Sequence, residues 1–330
     1  MENENKNGPM PFLSVKDLVV EYTSEGEIIH AVNGVSFDLE KGRTLGLVGE
    51  TGAGKTSIAK AILRILPDPP AKIRSGRIYL EGTDLLALKE EEMCKVRGKR
   101  VSMVYQDPMT ALNPVMRIGN QIAEGIKLHS HVSRVESLKR AKSMLEMVGI
   151  TAERYREYPH QFSGGMQQRV VIAMALACSP DLLLADEPTT ALDVTIQAQA
   201  LDMINKLKMN KNMAMIMITH DMGVVAAVCD DVAVVYAGEI IEYGPKEELF
   251  DHPSHPYTVG LFGAIPDIKT DEHRLHPIEG LPPNPSDLPK GCNFSPRCPY
   301  VMKECHENKA TFKPLGNGHF CRCHKTPIPS

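Results

Sequence analysis

The stretch Gly49-Glu50-Thr51-Gly52-Ala53-Gly54-Lys55-Thr56 matches G-x-x-x-x-G-K-[ST], the pattern of a loop built to hold phosphate. Its context fits the pattern. The apolar run Thr44-Leu45-Gly46-Leu47-Val48 precedes it, and Ser57-Ile58-Ala59-Lys60-Ala61-Ile62-Leu63, with helical spacing, follows. Strand, glycine-rich turn and helix start are what the chemistry needs. Glycines allow the backbone to wrap closely around an anion where a Cβ would collide. Successive N–H groups and the helix N-terminus then form a positive nest for the β-phosphate. Lys55 is expected to reach the β- and γ-phosphates, and the Thr56 hydroxyl to bind Mg²⁺, with Ser57 beside them at the helix start. A nucleoside triphosphate such as ATP is the expected ligand.

Two further strand ends carry reactive side chains. Asp181-Leu182-Leu183-Leu184-Ala185-Asp186-Glu187-Pro188 describes a buried parallel strand whose tip carries two carboxylates. Asp186 is placed to hold Mg²⁺ through water and Glu187 to orient or deprotonate an attacking water. Met213-Ala214-Met215-Ile216-Met217-Ile218-Thr219 is a second near-continuous apolar strand, and it ends at His220, a candidate to face the γ-phosphate. Its methionines are expected to be core packing of a strand buried on both faces rather than a soft-metal site.

The elements that must position these groups follow from periodicity and punctuation. Phe12 to Tyr22 and Ile28 to Val32 are expected as strands joined at Ser24-Glu25-Gly26, with Val35 to Leu39 leading on toward the phosphate loop. A short hairpin is expected over Ser75 to Gly82, and a strand over Val101 to Tyr105 ending at Gln106. From Ala111 to about Ser179 the pattern is helical, clearest at Gln121 to Lys127 and Val135 to Val148. A helix opens after Asp193, and a hairpin is expected over Val232 to Gly244. Four segments result: a nucleotide-binding core over 1–110, a helical insert over 111–179, the rest of the core over 180–251, and a C-terminal extension over 252–330, where frequent prolines leave little room for regular elements.

Composition narrows the class of protein. The 330 residues are 42% hydrophobic with a formal net charge of −4, which fits a globular protein and argues against a broad nucleic-acid-binding surface. No apolar run approaches the roughly 18 residues of a spanning helix, and MENENKNGPM lacks the build of a signal peptide. A cytoplasmic chain is therefore expected, any membrane role coming through partners. Of eight cysteines, Cys94, Cys178 and Cys229 are scattered and expected as small apolar filler, whereas Cys292, Cys298, Cys305, Cys321 and Cys323 crowd together. Such a cluster suggests metal rather than disulfides in a cytosolic chain. The spacing C-x5-C-x6-C lacks the C-x2-C knuckles of zinc sites; an irregular loop of thiolates suits a [4Fe–4S] cluster, with zinc and free or oxidised thiols as alternatives.

At Phe162-Ser163-Gly164-Gly165-Met166-Gln167 the chain resembles the LSGGQ signature of ATP-binding-cassette (ABC) ATPases, with Phe for Leu and Met for Gln. The resemblance runs from residue 12 to 250 with the motifs in order. It implies an α/β fold: a RecA-like P-loop core with an antiparallel β part, a helical insert subdomain, and an irregular Cys-rich extension. It also implies that Tyr22 stacks on adenine, that Gln106 is the Q-loop glutamine contacting Mg²⁺ and sensing the γ-phosphate, that Asp193 is the D-loop aspartate, and that His220 is the switch histidine. In this family Ser163, Gly164 and Gly165 close over the ATP of the opposite subunit, so that two ATPs are sandwiched in a dimer and closure drives a membrane partner.

The insert sequence Gln106-Asp107-Pro108-Met109-Thr110-Ala111-Leu112-Asn113-Pro114 and the element Ser254-His255-Pro256-Tyr257-Thr258 are similar to dipeptide and oligopeptide importer ATPases. That likeness implies two transmembrane permease subunits, a second ATP-binding subunit, an extracytoplasmic peptide-binding protein reached indirectly, no nucleic acid, and a place on the cytoplasmic face of the membrane. It also implies an iron–sulfur site at Cys292, Cys298, Cys305 and Cys323, because the family's last ligand directly precedes a histidine, here His324. Because these thiols lie far along the chain from the phosphate loop, the cluster is expected to be structural or regulatory. Nickel and glutathione importers share much of the pattern, and the further alternatives are a soluble ABC ATPase acting in translation or DNA repair and a redox-responsive one.

Overall fold

A computed structural model describes residues 10–189, 194–263 and 278–325. Strands are numbered in chain order: β1 Leu13–Ser24, β2 Glu27–Leu39, β3 Thr44–Val48, β4 Ala71–Leu80, β5 Thr83–Asp84, β6 Val101–Val104, β7 Leu182–Asp186, β8 Ala214–Ile218, β9 Asp231–Tyr236, β10 Glu239–Pro245, β11 Lys313–Gly316 and β12 His319–Cys321. They form two sheets, one ordered β2-β1-β4-β5 and one ordered β11-β12-β10-β9-β3-β8-β7-β6.

In the larger sheet β6, β7, β8, β3 and β9 are mutually parallel. Their continuous apolar runs follow from burial on both faces. Met215 and Met217 point into one core with the helical insert, while Ile216 and Ile218 point into the other beneath the antiparallel sheet. The strand methionines are thus packing residues, as expected. Cys229 is equally buried, its thiol pushed up to about 12 by burial, and it packs against Gly46, where a Cβ would meet its sulfur at 2.9 Å.

The antiparallel part differs from the expectation in detail. Ile28–Val32 and Val35–Leu39 are one 13-residue strand, β2, paired with β1 across Glu25-Gly26. Both turn residues have positive φ, 51° and 86°, which matches the turn twist that a tight hairpin requires. Gly76 does not turn the chain; it lies inside β4 against β1, and the turn falls at Glu81-Gly82 before β5.

The helical layer between β6 and β7 contains Ile118–Ser130, Arg134–Met147 and Gly164–Leu176. Among the described residues no helix is long and apolar enough to cross a membrane. The extension is less irregular than its prolines suggest. Helix Pro256–Gly263 opens it, and β12 pairs antiparallel with β10, so its last strands lengthen the main sheet. Glu242 fixes this join: fully buried, it accepts from the backbone N–H groups of Ser254 and His255 and lies 2.8 Å from His319 Nε2.

Candidate nucleotide site

Parallel strands carry their C-terminal ends to one edge of a sheet, and that edge is where ligands bind in open α/β folds. Here the loop after β3, Glu187 after β7 and His220 after β8 meet there. They line a cavity of about 430 Å³, within the range of small-molecule sites, whose walls include Thr51, Gly52, Gly54, Lys55, Thr56, Ser57, Gln106, Glu187 and His220.

The phosphate loop is held open by close backbone approach. Gly49 has φ 145° and Gly54 φ 100°; a Cβ on the first would meet Val235 O at 2.1 Å, and one on the second Ala31 O at 2.2 Å. Lys55 begins the helix Lys55–Leu63 and is 7% exposed. Its Nζ donates to the carbonyl oxygens of Gly49 and Glu50, both at 2.8 Å. Burial lowers its pKa, against the pull of Glu187, Asp186 and Glu50. The ammonium is thus fastened to the loop that it would leave for a phosphate.

Thr56 donates its hydroxyl to Asp186 Oδ1 at 3.1 Å. Burial raises the Asp186 carboxyl above its ordinary value, Glu187 adds to the shift, and Thr56, Lys60 and Lys55 oppose it. A buried carboxylate and a hydroxyl so placed suit a hard divalent cation. Gln106 donates to Glu187 Oε2 at 2.8 Å, and His220 Nδ1 lies 3.1 Å from Glu187 Oε1. Glu187 itself has φ 46°, an uncommon backbone for a non-glycine residue at the strand end.

Tyr22 stands on β1 outside the residues that line the cavity, with its hydroxyl 3.1 Å from Ser57 Oγ. Asp193 lies outside the described residues. Ser163 caps the helix Gly164–Leu176, its Oγ accepting from Met166 N at 3.4 Å. Ser163 and Gly164 are exposed, Gly165 is half-buried, and none of the three lines the cavity of its own chain.

Cys292, Cys298, Cys305 and Cys323 line a common, largely enclosed cavity together with His255 and Phe294. Burial pushes the Cys292 thiol up to about 11, and the charges of Cys305, Cys323 and Cys298 add to it. Cys321 is fully buried in β12 and does not line that cavity. Among the described residues no group of three or more His, Cys, Asp or Glu is arranged to hold a metal ion. The iron–sulfur expectation thus meets a shared cavity without a formed ligand set.

Two residues that touch the phosphate loop were not foreseen. The Arg297 guanidinium donates to both Glu50 carboxylate oxygens, at 3.0 and 3.1 Å, and the Glu50 N–H donates to Tyr257 Oη at 2.9 Å. No local pattern announces a contact across 247 positions.

Many nucleotide-hydrolysing folds place a phosphate loop at such a sheet edge. What narrows the class is the helical layer inserted between β6 and β7, which presents Ser163 away from its own phosphate loop; this is the architecture of an ABC-type ATPase. Residues 32–190 match the ABC transporter family model, and residues 241–305 match that of the oligopeptide/dipeptide transporter C-terminal region. The chain is 49% identical over 295 residues to the dipeptide transport ATP-binding protein DppD of Bacillus subtilis, covering 89% of this chain and 88% of that protein. It is 47% identical over 299 residues to the oligopeptide transport ATP-binding protein OppD of Escherichia coli, covering 89% and 87%. The dimeric cassette MJ0796, solved in a post-hydrolysis state bound to ADP and Pi, superposes with a TM-score of 0.65 at 26% identity, over 71% of this chain and 98% of that one. The chain belongs to the dipeptide/oligopeptide family of ABC transporter ATP-binding subunits.

Proposed function

We propose that this chain hydrolyses ATP to drive a membrane importer of dipeptides or oligopeptides. The observation that carries the reading is the convergence of Lys55, Thr56, Gln106, Glu187 and His220 on one cavity, with Asp186 bonded behind Thr56, in a chain whose extension matches the peptide-transporter C-terminal region. Lys55 leaves the carbonyls of Gly49 and Glu50 to hold the β- and γ-phosphates. Thr56, Asp186 (through water) and Gln106 are the residues that would hold Mg²⁺, which would supply charge neutralisation at the phosphates. Glu187 orients the attacking water and accepts its proton; His220 braces Glu187 and faces the γ-phosphate.

The site is completed by a second ATP-binding subunit. Ser163, Gly164 and Gly165 have exposed or half-buried backbone at a helix start and no phosphate of their own to bind, and an anion from a facing subunit suits them. The D-loop role of Asp193 and adenine stacking by Tyr22 belong to the same reading. The helical insert over 111–179 works against two transmembrane permease subunits at the cytoplasmic face, and an extracytoplasmic protein delivers the peptide.

Cys292, Cys298, Cys305 and Cys323 are the residues that would hold a [4Fe–4S] cluster. Support comes from their shared cavity, which brings four thiols of an irregular segment together. Such a group would cross-link the extension; hydrolysis does not pass through it.

The test is reconstitution with the membrane subunits that co-purify with this chain, followed by uptake of defined peptides. ATP-dependent peptide uptake that stops with Lys55→Ala is expected. Transport of nickel or glutathione in place of peptides would reassign the substrate.

A further inference from the structure

The C-terminal extension touches the phosphate loop directly at Glu50 and, at the loop's other end, reaches it only through the β9–β10 turn. At Glu50, Arg297 makes a two-pronged ion pair, and its guanidinium also donates to Glu279 O at 3.0 Å. The Arg297 side chain is only 6% exposed and stands over the rings of Tyr236 and Phe294, so the fork has little freedom. Tyr257, fully buried, accepts the Glu50 N–H and packs 4.6 Å from the Tyr236 ring, with Phe294 closing the cluster edge-on. At the other end of the loop, Asn293 donates to Ala237 O at 3.3 Å, and Gly238 N donates to Ala53 O at 3.0 Å.

Glu50 is an awkward residue for this loop. Its side chain does not line the nucleotide cavity, but a Glu50 carboxylate released from its partner would add a negative charge to a loop that must hold a polyphosphate, and like charges at short range in a part-buried site repel strongly. The Arg297 fork neutralises that carboxylate and turns it away, while Tyr257 fixes the direction of its peptide N–H.

We propose that Arg297 and Tyr257 are positioning residues of the nucleotide site, through which the extension sets the loop's affinity for nucleoside triphosphate. The contact reaches the loop from the same segment that carries Cys298, so the extension is part of the ATP site's support. Residues distant in sequence are adjacent in the fold.

The inference rests on the nucleotide reading above, and the experiment separates the two. Full-length chain is titrated with a fluorescent ATP analogue, and ATPase kinetics are measured in the assembled transporter. Lys55→Ala must abolish binding; if it does not, the nucleotide reading itself fails. Given that control, Arg297→Ala is expected to weaken nucleotide affinity and raise KM about tenfold, as when a charge-assisted pair loses one partner, with kcat at saturating ATP within about twofold of wild type. Adding Glu50→Gln to Arg297→Ala removes the unpaired carboxylate and is expected to restore affinity to within about threefold. A merely structural role for Arg297 predicts no such rescue. Tyr257→Phe, which deletes one oxygen, is expected to raise KM by a factor of about three and serves as the readout should Arg297→Ala fail to fold. Unchanged affinity in a folded Arg297→Ala chain, or in Tyr257→Phe where the alanine chain does not fold, would overturn the proposal. So would a loss in Arg297→Ala that Glu50→Gln leaves uncorrected.

Discussion

Gln106 donates its side-chain amide to Glu187 at 2.8 Å, tying the end of β6 to the acid at the end of β7. Since His220 meets the other Glu187 oxygen, both carboxylate oxygens of the proposed general base are engaged. The carboxylate is held at a fixed place in the cavity and can exchange one partner for a water. Anything that shifts the insert through the loop after Gln106 would also move this acid.

Glu187→Gln follows directly. An amide keeps the shape and can still pair with Gln106, yet it accepts no proton. Turnover in the assembled transporter is expected to fall by about 10²–10⁴, the usual loss for a positioned general base, while ATP binding is retained. Near-normal hydrolysis by this variant would remove Glu187 from its proposed role.

Ser163 gives a second expectation. Since it lies outside the cavity of its own chain, Ser163→Arg should spare nucleotide binding by the isolated chain and block hydrolysis. Mixing that variant with Lys55→Ala chains can place both lesions on one shared site and leave the other intact. Partial recovery of ATPase on mixing is expected of a homodimer. A wild-type monomer hydrolysing at full rate, independent of concentration, would contradict the two-subunit site.

The sequence made the cavity legible because the candidate site residues sit at or next to element boundaries. Lys55, Asp186 and His220 follow apolar runs whose length and two-faced burial mark parallel strands, and parallel strands share an edge. The join of the extension was not legible. β12 is three residues long, and its pairing with β10 is fixed by Glu242 and His319, which no periodicity marks. Nor does distance along the chain show that Arg297, in the cysteine-bearing segment, pairs with Glu50 of the phosphate loop.

The choice between Cys321 and Cys323 has a direct check. Cys321 is buried beside Glu242, where burial first and the carboxylate second hold its thiol protonated, and it lines no shared cavity with the others. Cys323 lines the cavity with Cys292, Cys298 and Cys305. Anaerobically purified protein is expected to contain about four irons and four sulfides per chain. Serine at Cys292, Cys298, Cys305 or Cys323 should abolish that content, and Cys321→Ser should keep it. Stoichiometric zinc without sulfide would overturn the cluster, and retention in Cys323→Ser with loss in Cys321→Ser would move the fourth ligand.

The last expectation concerns acid stability and His255. This histidine is 1% exposed, and its Nδ1 accepts from the Tyr257 N–H at 3.1 Å, a bond that the doubly protonated ring cannot make. Burial lowers its pKa from 6.5 to about 4, against the opposing pull of Glu242. The unfolded chain therefore binds this proton more readily than the folded one. Stability from the neutral ring is fully present above pH 6.5 and is lost as the pH falls toward about 4. The slope approaches 1.4 kcal/mol per pH unit, roughly 3 kcal/mol in all as an upper figure. Asn at this position can still accept the Tyr257 N–H through its side-chain oxygen but does not titrate. His255→Asn should cost stability near neutral pH and lose less than wild type between about pH 6.5 and about pH 4.5, measured as the shift in apparent Tm. Parallel loss in the two proteins across that window would show that His255 is not the titrating group.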